Sequence, residues 1–405
     1  MKPIINSLHI YSRFLLIVGC LLASSSFSQN QLEELAGDGG ILFHSPSGEV
    51  LASLNPENSL IPASLVKIPL AQVALNTLGE DFQFETHFYR NESGDLLIRG
   101  LGDPFLVSEE IATIAEVLSQ RGLSEVRRLV MDDSAFELNG DLPLELNADD
   151  PYAARNSALA VNFNTVNLAW NASGNLISGE EQTPLTPLAL EFSEQLSAGE
   201  SQRINLGSDP EDGLRQGQQL FNFFLKESGI TVLDSEFYHE ALSDEWNLYY
   251  KHFNSRSLRE ILAGMLRFSN NFIANQLFLA LGALSSGFPA TSESAREVLH
   301  QQLPEIYGNG VGINPQSLLM LEGAGLSRQQ RVTARGMMQI MEAFRPYADL
   351  LPEVNEVLRK SGTLTGVYNF SGYIQRPDGL YPYVILTNQG VNNRDEILQF
   401  LNRSI

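Results

Sequence analysis

A serine and a lysine three residues apart could together form a nucleophile and its base. Ser64 and Lys67 lie just after Pro62, whose fixed φ and missing N–H suit the start of a helix. Residues three apart share one face of a helix, so the hydroxyl and the amine are expected to be neighbours. A serine hydroxyl is a weak nucleophile until a base takes its proton, and a lysine with a lowered pKa can be that base. The pair predicts a serine nucleophile with a lysine as general base.

Two further motifs follow in an order that supports this interpretation. Ser269-Asn270-Asn271 falls within or at the end of an apolar helical stretch, and Lys360-Ser361-Gly362 falls where a strand is expected to begin. The second triplet is the only Lys-Ser/Thr-Gly in the chain. Each motif alone arises readily by chance. The ordered set of Ser-x-x-Lys, Ser-x-Asn and Lys-Ser/Thr-Gly is typical of penicillin-binding proteins and class A β-lactamases.

The sequence resembles one family over nearly all of the chain after its first 28 residues: the penicillin-binding-protein-4-like D-alanyl-D-alanine carboxypeptidases and endopeptidases, the low-molecular-mass class C penicillin-binding proteins. The long insertion between Ser64 and Ser269 is also typical of that family. Besides the three motifs, the resemblance rests on Gly100-Leu101-Gly102-Asp103-Pro104, Met131-Asp132-Asp133-Ser134, Ser157-Ala158-Leu159, residues 162–166, Gly325-Leu326-Ser327-Arg328 and residues 362–372.

The resemblance implies catalytic roles for four residues. Ser64 would attack the carbonyl carbon of the penultimate D-alanine and become acylated, with Lys67 as general base. Ser269 would relay a proton to the leaving amine. Asn271 would bind the substrate amide and hold Lys67. Water would then hydrolyse the acyl-enzyme.

The third motif would bind the substrate. By resemblance, Lys360 binds the terminal carboxylate and keeps Lys67 neutral, and Ser361 hydrogen-bonds the same carboxylate. Gly362 would leave room for the peptide to lie along the strand as an added strand. The backbone N–H groups of Thr363 and Ser64 would form the oxyanion hole.

Two departures from the family pattern affect expectations about the site. Ser361 stands where threonine is usual, and its hydroxyl should preserve the interaction. Glu322-Gly323-Ala324-Gly325 replaces the more usual Asp-Gly-Ser-Gly, which leaves the local hydrogen bonding open.

The composition of the chain limits the kinds of partner that it can bind. The net charge of −22 argues against nucleic acid, whose phosphates need a basic face. The histidines show no metal-ligand spacing, so we expect no metal and no cofactor. The resemblance implies peptidoglycan muropeptides as the substrate and β-lactam antibiotics as covalent inhibitors.

The first 28 residues read as a signal peptide. Lys2 and Arg13 precede an apolar run from Phe14 to Ala23, which is too short to span a bilayer. Small residues then favour cleavage before Gln29. We expect an exported, periplasmic protein without a transmembrane anchor in the mature chain. The alternative is lipidation of Cys20, the only cysteine.

The pattern of strands and helices predicts an α+β protein. With the resemblance, it indicates a β-lactamase/transpeptidase-like domain, an antiparallel sheet flanked by helices, with a large inserted α+β domain. Residues 29–80 and 245–405 would form the peptidase domain, and residues 81–244 the insertion. Within these, we expect strands at 40–44, 49–54, 84–90, 95–99, 160–170, 363–370, 372–375 and 381–387, loop at 178–210, and helices at 109–120, 214–227, 257–281, 292–303, 333–344 and 394–402.

The leading hypothesis is a serine D-Ala-D-Ala carboxypeptidase or endopeptidase that acts on peptidoglycan through acylated Ser64. One alternative is an esterase or β-lactamase on the same fold. It is disfavoured because no convincing deacylating carboxylate stands at the expected place and the motif spacing differs. Another is a non-catalytic wall-binding homologue, which the intact motifs disfavour.

Overall fold

The strands of the protein fall into two large and two small sheets. The computed structural model describes residues 30–138, 142, 153–197, 199–206, 209–307 and 317–405, so the predicted signal peptide and Cys20 lie outside the described residues. The strands are β1 Gly40–His44, β2 Val50–Leu54, β3 Glu85–Arg90, β4 Leu96–Gly100, β5 Glu125–Asp132, β6 Thr165–Trp170, β7 Leu176–Ser178, β8 Ser201–Asn205, β9 Thr231–His239, β10 Asn247–Phe253, β11 Leu318–Leu319, β12 Arg331–Val332, β13 Glu353–Val354, β14 Val357–Leu364, β15 Val367–Arg376 and β16 Gly379–Leu386.

Helices cover these sheets. They are α1 at residues 30–36, α2 Lys67–Leu78, α3 Ser108–Gln120, α4 Pro187–Glu191, α5 Pro210–Glu227, α6 Leu258–Phe268, α7 Asn271–Ser286, α8 Ser292–Tyr307, α9 Ala334–Phe344 and α10 Arg394–Arg403.

The largest sheet joins strands from both ends of the chain. Its six strands pair antiparallel in the order β13-β14-β15-β16-β1-β2, so the predicted early hairpin does meet the predicted late strands. Side chains alternate across a strand: Ile41 and Phe43 pack with the apolar residues of α1 and α10, whereas Leu42 packs with the helices on the other face. Both faces of this sheet are therefore buried.

Helix α2 occupies the centre of the larger core. Its residues from Lys67 to Leu75 are all buried, and they pack with apolar residues of α6, α7 and α9. A helix buried all round has no polar face, which places the lysine at its first position inside the protein.

The insertion has its own sheet and core. Its five strands follow the order β10-β3-β4-β5-β9, with β4, β5 and β9 parallel to one another, and α3 and α5 contribute to the core beside it. A three-stranded sheet, β7-β6-β8, packs with α4 in a smaller cluster.

A loop of the insertion contacts the helix that carries Asn271. The amide of Asn156 donates to the carbonyl oxygen of Phe272 at 3.1 Å and to Gln276 Oε1 at 2.9 Å, and Gln276 Nε2 donates to the carbonyl of Ser157 at 2.6 Å. The insertion is therefore hydrogen-bonded directly to α7.

Four predicted elements differ from the structure. The helix expected at 257–281 is divided, because Ser269 adopts a left-handed conformation with φ 52° and Asn270 caps the next helix. The strand expected at 160–170 begins only at Thr165, because residues 162–164 have positive φ. The stretch 178–210 was expected to be loop, but α4 and β8 form there around the smaller cluster.

The fourth difference concerns the third motif. Strand β14 begins at Val357, so Lys360 lies inside the strand and not ahead of it. The turn falls at residues 365–366, where Gly366 has φ 73°. Ser371 lies within β15 and donates to the carbonyl of Tyr383 at 3.2 Å.

Strand pairing also bears on the expected boundary at residue 244. Strand β10 pairs antiparallel with β3, so the sheet of the insertion extends to Phe253, although residues 245–405 were assigned to the peptidase domain. The division of the chain into domains stays a prediction.

Candidate active site

Ser64 lies in a tight turn that leads into α2. Residues Ala63–Val66 form a 3-10 helix, and Ala63 has the left-handed φ of 48°. Side chains three apart eclipse one another in a 3-10 helix, which brings Lys67 Nζ to 2.9 Å from Ser64 Oγ. The turn therefore places the Ser64 hydroxyl and the Lys67 amine in the contact that the sequence predicted. Ser64 is half-buried and Lys67 is fully buried.

The Lys67 amine lies among oxygen atoms in a dry environment. Its Nζ is 2.9 Å from Asn271 Oδ1 and 2.5 Å from the carbonyl oxygen of Ala324. Burial, and then the positive charge of Lys360, lower the pKa of Lys67 well below its usual range, while Glu322 opposes the shift. In the structure Lys67 Nζ donates to Ser64 Oγ, and Ser64 Oγ donates to the same Ala324 carbonyl at 3.2 Å. A neutral amine has two N–H donors and one lone pair, so with its donors on the two carbonyl oxygens it can turn the lone pair to the Ser64 hydroxyl. The arrangement suits a general base.

The carbonyl oxygen of Ala324 depends on a buried carboxylate. Glu322 accepts hydrogen bonds from the N–H groups of Ala324 at 2.7 Å, Gly325 at 2.8 Å and Leu326 at 2.7 Å, and from Gln330 Nε2 at 2.5 Å. The glutamate that replaces the family's usual aspartate thus organises the loop. Hydrogen bonds to a charged acceptor are about twice as strong as those between neutral groups, so these bonds hold the loop backbone in one conformation.

The same loop packs tightly against the serine turn. A Cβ at Gly325, which has φ 88°, would lie 2.2 Å from the carbonyl oxygen of Ala63. Asn275 Oδ1 also accepts from the N–H groups of Gly323 and Ala324. The sequence analysis noted Glu322 as a departure from the family pattern but gave it no role, and it missed Asn275 and the Ala324 carbonyl; the glycines around them were the available signal.

The second motif lies at the junction of two helices. Ser269 ends α6, and the Asn270 side chain accepts from the N–H of Ile273 at 2.9 Å to start α7. This sharp change of direction aims Ser269 Oγ at Lys360 Nζ, 2.8 Å away, and Asn271 Oδ1 at Lys67. The helix break that sequence periodicity concealed therefore positions both side chains.

Lys360 is a second buried lysine, only 2% exposed. Its Nζ donates to Ser269 Oγ at 2.8 Å and to the carbonyl of Ser361 at 2.9 Å. Burial, followed by the charge of Arg394, lowers the pKa of Lys360 to about 7. Lys360 is therefore partly protonated at neutral pH, where it can attract an anion.

One edge of β14 is open beside this lysine. The N–H of Arg359 points toward β13, because it donates to the carbonyl of Pro352 at 2.9 Å. Backbone groups alternate in direction along a strand, so the N–H groups of Ser361 and Thr363 point to the same edge. Among the described residues β13 pairs only as far as Leu358. The edge beyond it can receive an extended peptide.

Gly362 has a structural reason to be glycine that does not involve substrate. A Cβ there would lie 2.5 Å from the carbonyl oxygen of Pro62 and 3.2 Å from Leu65 Cγ. The serine turn therefore contacts β14 directly through the space that a side chain would fill. The resemblance had attributed this glycine to room for the peptide.

Two asparagines that the sequence analysis missed hydrogen-bond to the backbone just before the serine turn. Asn369 donates to the carbonyls of Ile61 at 2.9 Å and Pro62 at 3.0 Å, and Asn388 Oδ1 accepts from the N–H of Ile61 at 2.7 Å. A buried asparagine inside an apolar strand, as at position 369, was the signal, because such a side chain needs partners.

The structure thus brings the three motifs into one site. Ser64, Lys67 and Asn271 form one run of contacts, and Ser269 and Lys360 form another. The predicted pairing of the Ser64 and Thr363 N–H groups as an oxyanion hole stays a prediction.

Within the described residues there is no group of three or more His, Cys, Asp or Glu side chains placed to hold a metal. No helix in the same part of the chain is long and apolar enough to cross a membrane.

Comparisons with known proteins agree with this geometry. The D-Ala-D-Ala carboxypeptidase 3 (S13) family profile matches residues 28–206 and 200–352. A D-alanyl-D-alanine carboxypeptidase from Actinomadura sp. (strain R39) is 27% identical, over 88% of this chain and 78% of the relative. Penicillin binding protein 4 (dacB) from Haemophilus influenzae superposes with a TM-score of 0.72 at 19% identity, over 93% of this chain and 98% of that one. The penicillin G acylated Bd3459 predatory endopeptidase from Bdellovibrio bacteriovorus, in complex with the immunity protein Bd3460, has a TM-score of 0.51 at 13% identity, over 90% and 92% of the two chains. The superposition with penicillin binding protein 4 confirms the predicted fold class.

Gly362→Ala tests the contact between the serine turn and β14. The new Cβ would lie 2.5 Å from a backbone oxygen, so strand and turn must separate, and overpacking of this kind costs about 1–3 kcal/mol. We expect the free energy of unfolding, measured by urea denaturation, to fall by that amount. Gly264→Ala in α6 is the control, because among the described residues a Cβ there would meet no atom within 4 Å beyond its own helix backbone and neighbours. Equal stability of the two variants would contradict the proposed contact.

Proposed function

Since the chain belongs to the D-Ala-D-Ala carboxypeptidase 3 (S13) family of serine-type peptidases, we propose that it cleaves D-alanyl peptide bonds in peptidoglycan stem peptides through a Ser64 acyl-enzyme. One observation carries the proposal: the buried Lys67 Nζ lies 2.9 Å from Ser64 Oγ. The lowered pKa of Lys67 supports it. A half-buried serine beside a neutral amine is an activated nucleophile.

The contacts suggest the path of each proton. As Ser64 Oγ bonds to the carbonyl carbon of the penultimate D-alanine, Lys67 takes the hydroxyl proton. Breaking the C–N bond requires a proton on the leaving nitrogen. Ser269, bonded to Lys360, donates its hydroxyl proton there and is reprotonated with the proton that Lys67 holds, so the amine departs and Lys67 is neutral again. In the second half, water attacks the ester carbon, Lys67 takes a proton from the water, and Ser64 recovers its hydrogen. Acid and base roles exchange, as microscopic reversibility requires.

The open edge of β14 supports the binding mode that the resemblance implied. A peptide added there would receive hydrogen bonds from the outward N–H groups of Ser361 and Thr363. The carboxylate of the leaving group would then lie near Lys360 and the Ser361 hydroxyl. The N–H groups of Ser64 and Thr363 would stabilise the tetrahedral oxyanion.

The names of the similar proteins support both possible substrates and a class of inhibitor. One relative is named as a carboxypeptidase, and one structural neighbour is an endopeptidase acylated by penicillin G. Loss of a terminal D-alanine and cleavage of a D-alanyl-diaminopimelate cross-link use the same acyl donor. We therefore propose both activities, with β-lactams as covalent inhibitors of Ser64.

A cell-wall substrate also fits the first 28 residues. The proposed signal peptide would deliver the mature chain to the periplasm, where the peptidoglycan lies. Lipidation of Cys20 remains the alternative proposal for this segment.

Fluorescent penicillin tests the acylation step. Wild-type protein should become covalently labelled, and Ser64→Ala should not be labelled, because the acylated oxygen is gone. The intact mass should increase by one penicillin on the peptide that contains Ser64. Ser361→Thr, which preserves the hydroxyl, is the labelled control. A wild type that stays unlabelled, or a labelled Ser64→Ala, would contradict the acyl-enzyme.

Product masses from purified peptidoglycan separate the two activities. Loss of one alanine from pentapeptides identifies the carboxypeptidase, and conversion of cross-linked dimers to monomers identifies the endopeptidase. Rapid turnover of a chromogenic cephalosporin would instead favour the β-lactamase alternative, and binding without cleavage the non-catalytic one.

The two lysines predict the pH dependence of kcat/KM. Lys67 must be neutral to accept a proton, so the rate rises with pH through its lowered pKa, well below the usual lysine range. Lys360 must be charged to attract a carboxylate, so kcat/KM falls as pH rises past its pKa of about 7. In Lys360→Arg the falling limb should disappear from that region, because a guanidinium stays protonated. An unchanged falling limb in Lys360→Arg would exclude Lys360 as its source.

A further inference from the structure

Arg394, the first residue of α10, lies close to the third motif with part of its guanidinium unsatisfied. It is half-buried, its Cζ stands 4.4 Å from the centre of the Phe370 ring, and its Nη1 donates to Thr363 Oγ1 at 2.6 Å. Its Nε is buried and has no hydrogen-bond partner within the described part of the chain. A buried charge-bearing donor without a partner is costly, so this group is available for an anion.

A neighbouring arginine shows the contrast. Arg359 stands over the same Phe370 ring at 4.6 Å, but its Nη1 lies 3.5 Å from Asp395 Oδ1. Asp395 also exerts some attraction on Arg394. Within the described residues, the short ion pair of Asp395 is with Arg359, whereas the direct partner of Arg394 is the neutral hydroxyl of Thr363.

Arg394 and the candidate active site share one open pocket. The pocket has a volume of about 440 Å³, and its lining includes Ser269, Lys360 and Ser361 as well as Phe370 and Arg394. Ser269 and Lys360 lie on the side where the leaving group departs in the mechanism proposed above. The pocket therefore extends from Ser269 and Lys360, past Ser361, to Arg394.

Thr363 connects the two sides. Its N–H points to the open edge of β14, and its hydroxyl oxygen accepts from Arg394, so the hydroxyl proton is free to donate elsewhere. Lys360, Ser361 and Arg394 line this pocket together with Arg267, Arg359 and one carboxylate, that of Asp395. The Thr363 hydroxyl bonds to Arg394. The basic groups and hydroxyls among these form a donor set suited to a carboxylate.

We propose that Arg394 is a specificity-determining residue that binds the free carboxylate next to the scissile bond, together with Lys360 and the hydroxyls of Ser361 and Thr363. The inference rests on the proposed function. D-Alanine and the D-centre of diaminopimelate both carry this carboxylate, so both leaving groups satisfy the site. Arg394 would make the enzyme reject peptides whose C-terminal carboxylate is amidated.

The test compares two forms of one substrate. A stem-peptide analogue ending in D-Ala-D-Ala is supplied as the free acid and as the C-terminal carboxamide, and kcat/KM is measured for each. Charge-assisted hydrogen bonds typically change affinity by about 10- to 100-fold. We expect Arg394→Gln to lower the acid-to-amide ratio of kcat/KM by that factor, mainly through KM.

Two variants make the result specific. Arg359→Gln removes the neighbouring guanidinium from the same aromatic ring and should leave the acid-to-amide ratio at the wild-type value. Arg394→Lys keeps a positive charge at this position but lacks the planar guanidinium with its paired N–H donors, so it should give an intermediate acid-to-amide ratio. Melting temperatures of all three variants show whether each is folded, and Arg394→Lys keeps the test valid if Arg394→Gln unfolds.

The outcomes separate this inference from the proposed function. If the wild type cleaves neither form and is not acylated by penicillin, the proposed function fails. If the wild type cleaves the acid but the ratio is unchanged in folded Arg394→Gln and Arg394→Lys, only the role of Arg394 is overturned. An equal fall of the ratio in Arg359→Gln would likewise overturn it, since general loss of positive charge would then explain the effect.

Discussion

The burial of one amine beside one hydroxyl constrains most of this structure. Lys67 is completely enclosed and contacts Ser64, Asn271 and the carbonyl of Ala324. A buried ammonium without close carboxylate contacts is unfavourable, so the amine sheds its proton more easily than in water. That shift would let Lys67 accept a proton at neutral pH, and it depends on the surrounding layers that keep water out.

The segments around Lys67 pack closely against the serine turn and the amine: the loop at Gly325, strand β14 at Gly362 and the helix that carries Asn271. The loop at Gly325 and the strand at Gly362 each come so close that a Cβ would collide with the backbone of the turn. Glu322 fixes the first contact from within its loop, and Asn369 fixes the second by holding the carbonyls of Ile61 and Pro62. The helix that carries Asn271 is itself bonded to the insertion. Precise positioning is thus distributed over segments distant in sequence.

The sequence predicted the parts of the site that depend on local spacing. Ser64 and Lys67 could be paired because residues three apart share a helix face. Strands were also expected late in the chain, although the predicted strand 363–370 runs across the turn between β14 and β15. The break at Ser269 could not, because the apolar periodicity continues across it while a single left-handed residue redirects the chain. The contacts of Glu322 within its loop and of Arg394 beside the third motif were not predicted, for another reason. Their importance comes from what lies beside them in the fold, and neither residue type nor spacing reveals that.

Electrostatics link recognition to catalysis in this site. The net charge of −22 creates a field that does not steer a carboxylate toward the protein, and screening limits that field to about 8 Å at physiological salt. Attraction must therefore act at short range, inside the pocket. In the proposed mechanism Lys360 provides this attraction, and the same charge lowers the pKa of Lys67. A carboxylate bound to Lys360 would cancel part of that charge, and this would oppose the lowering of the Lys67 pKa. In the proposed mechanism the amine would then be a stronger base when a carboxylate-bearing substrate is in place.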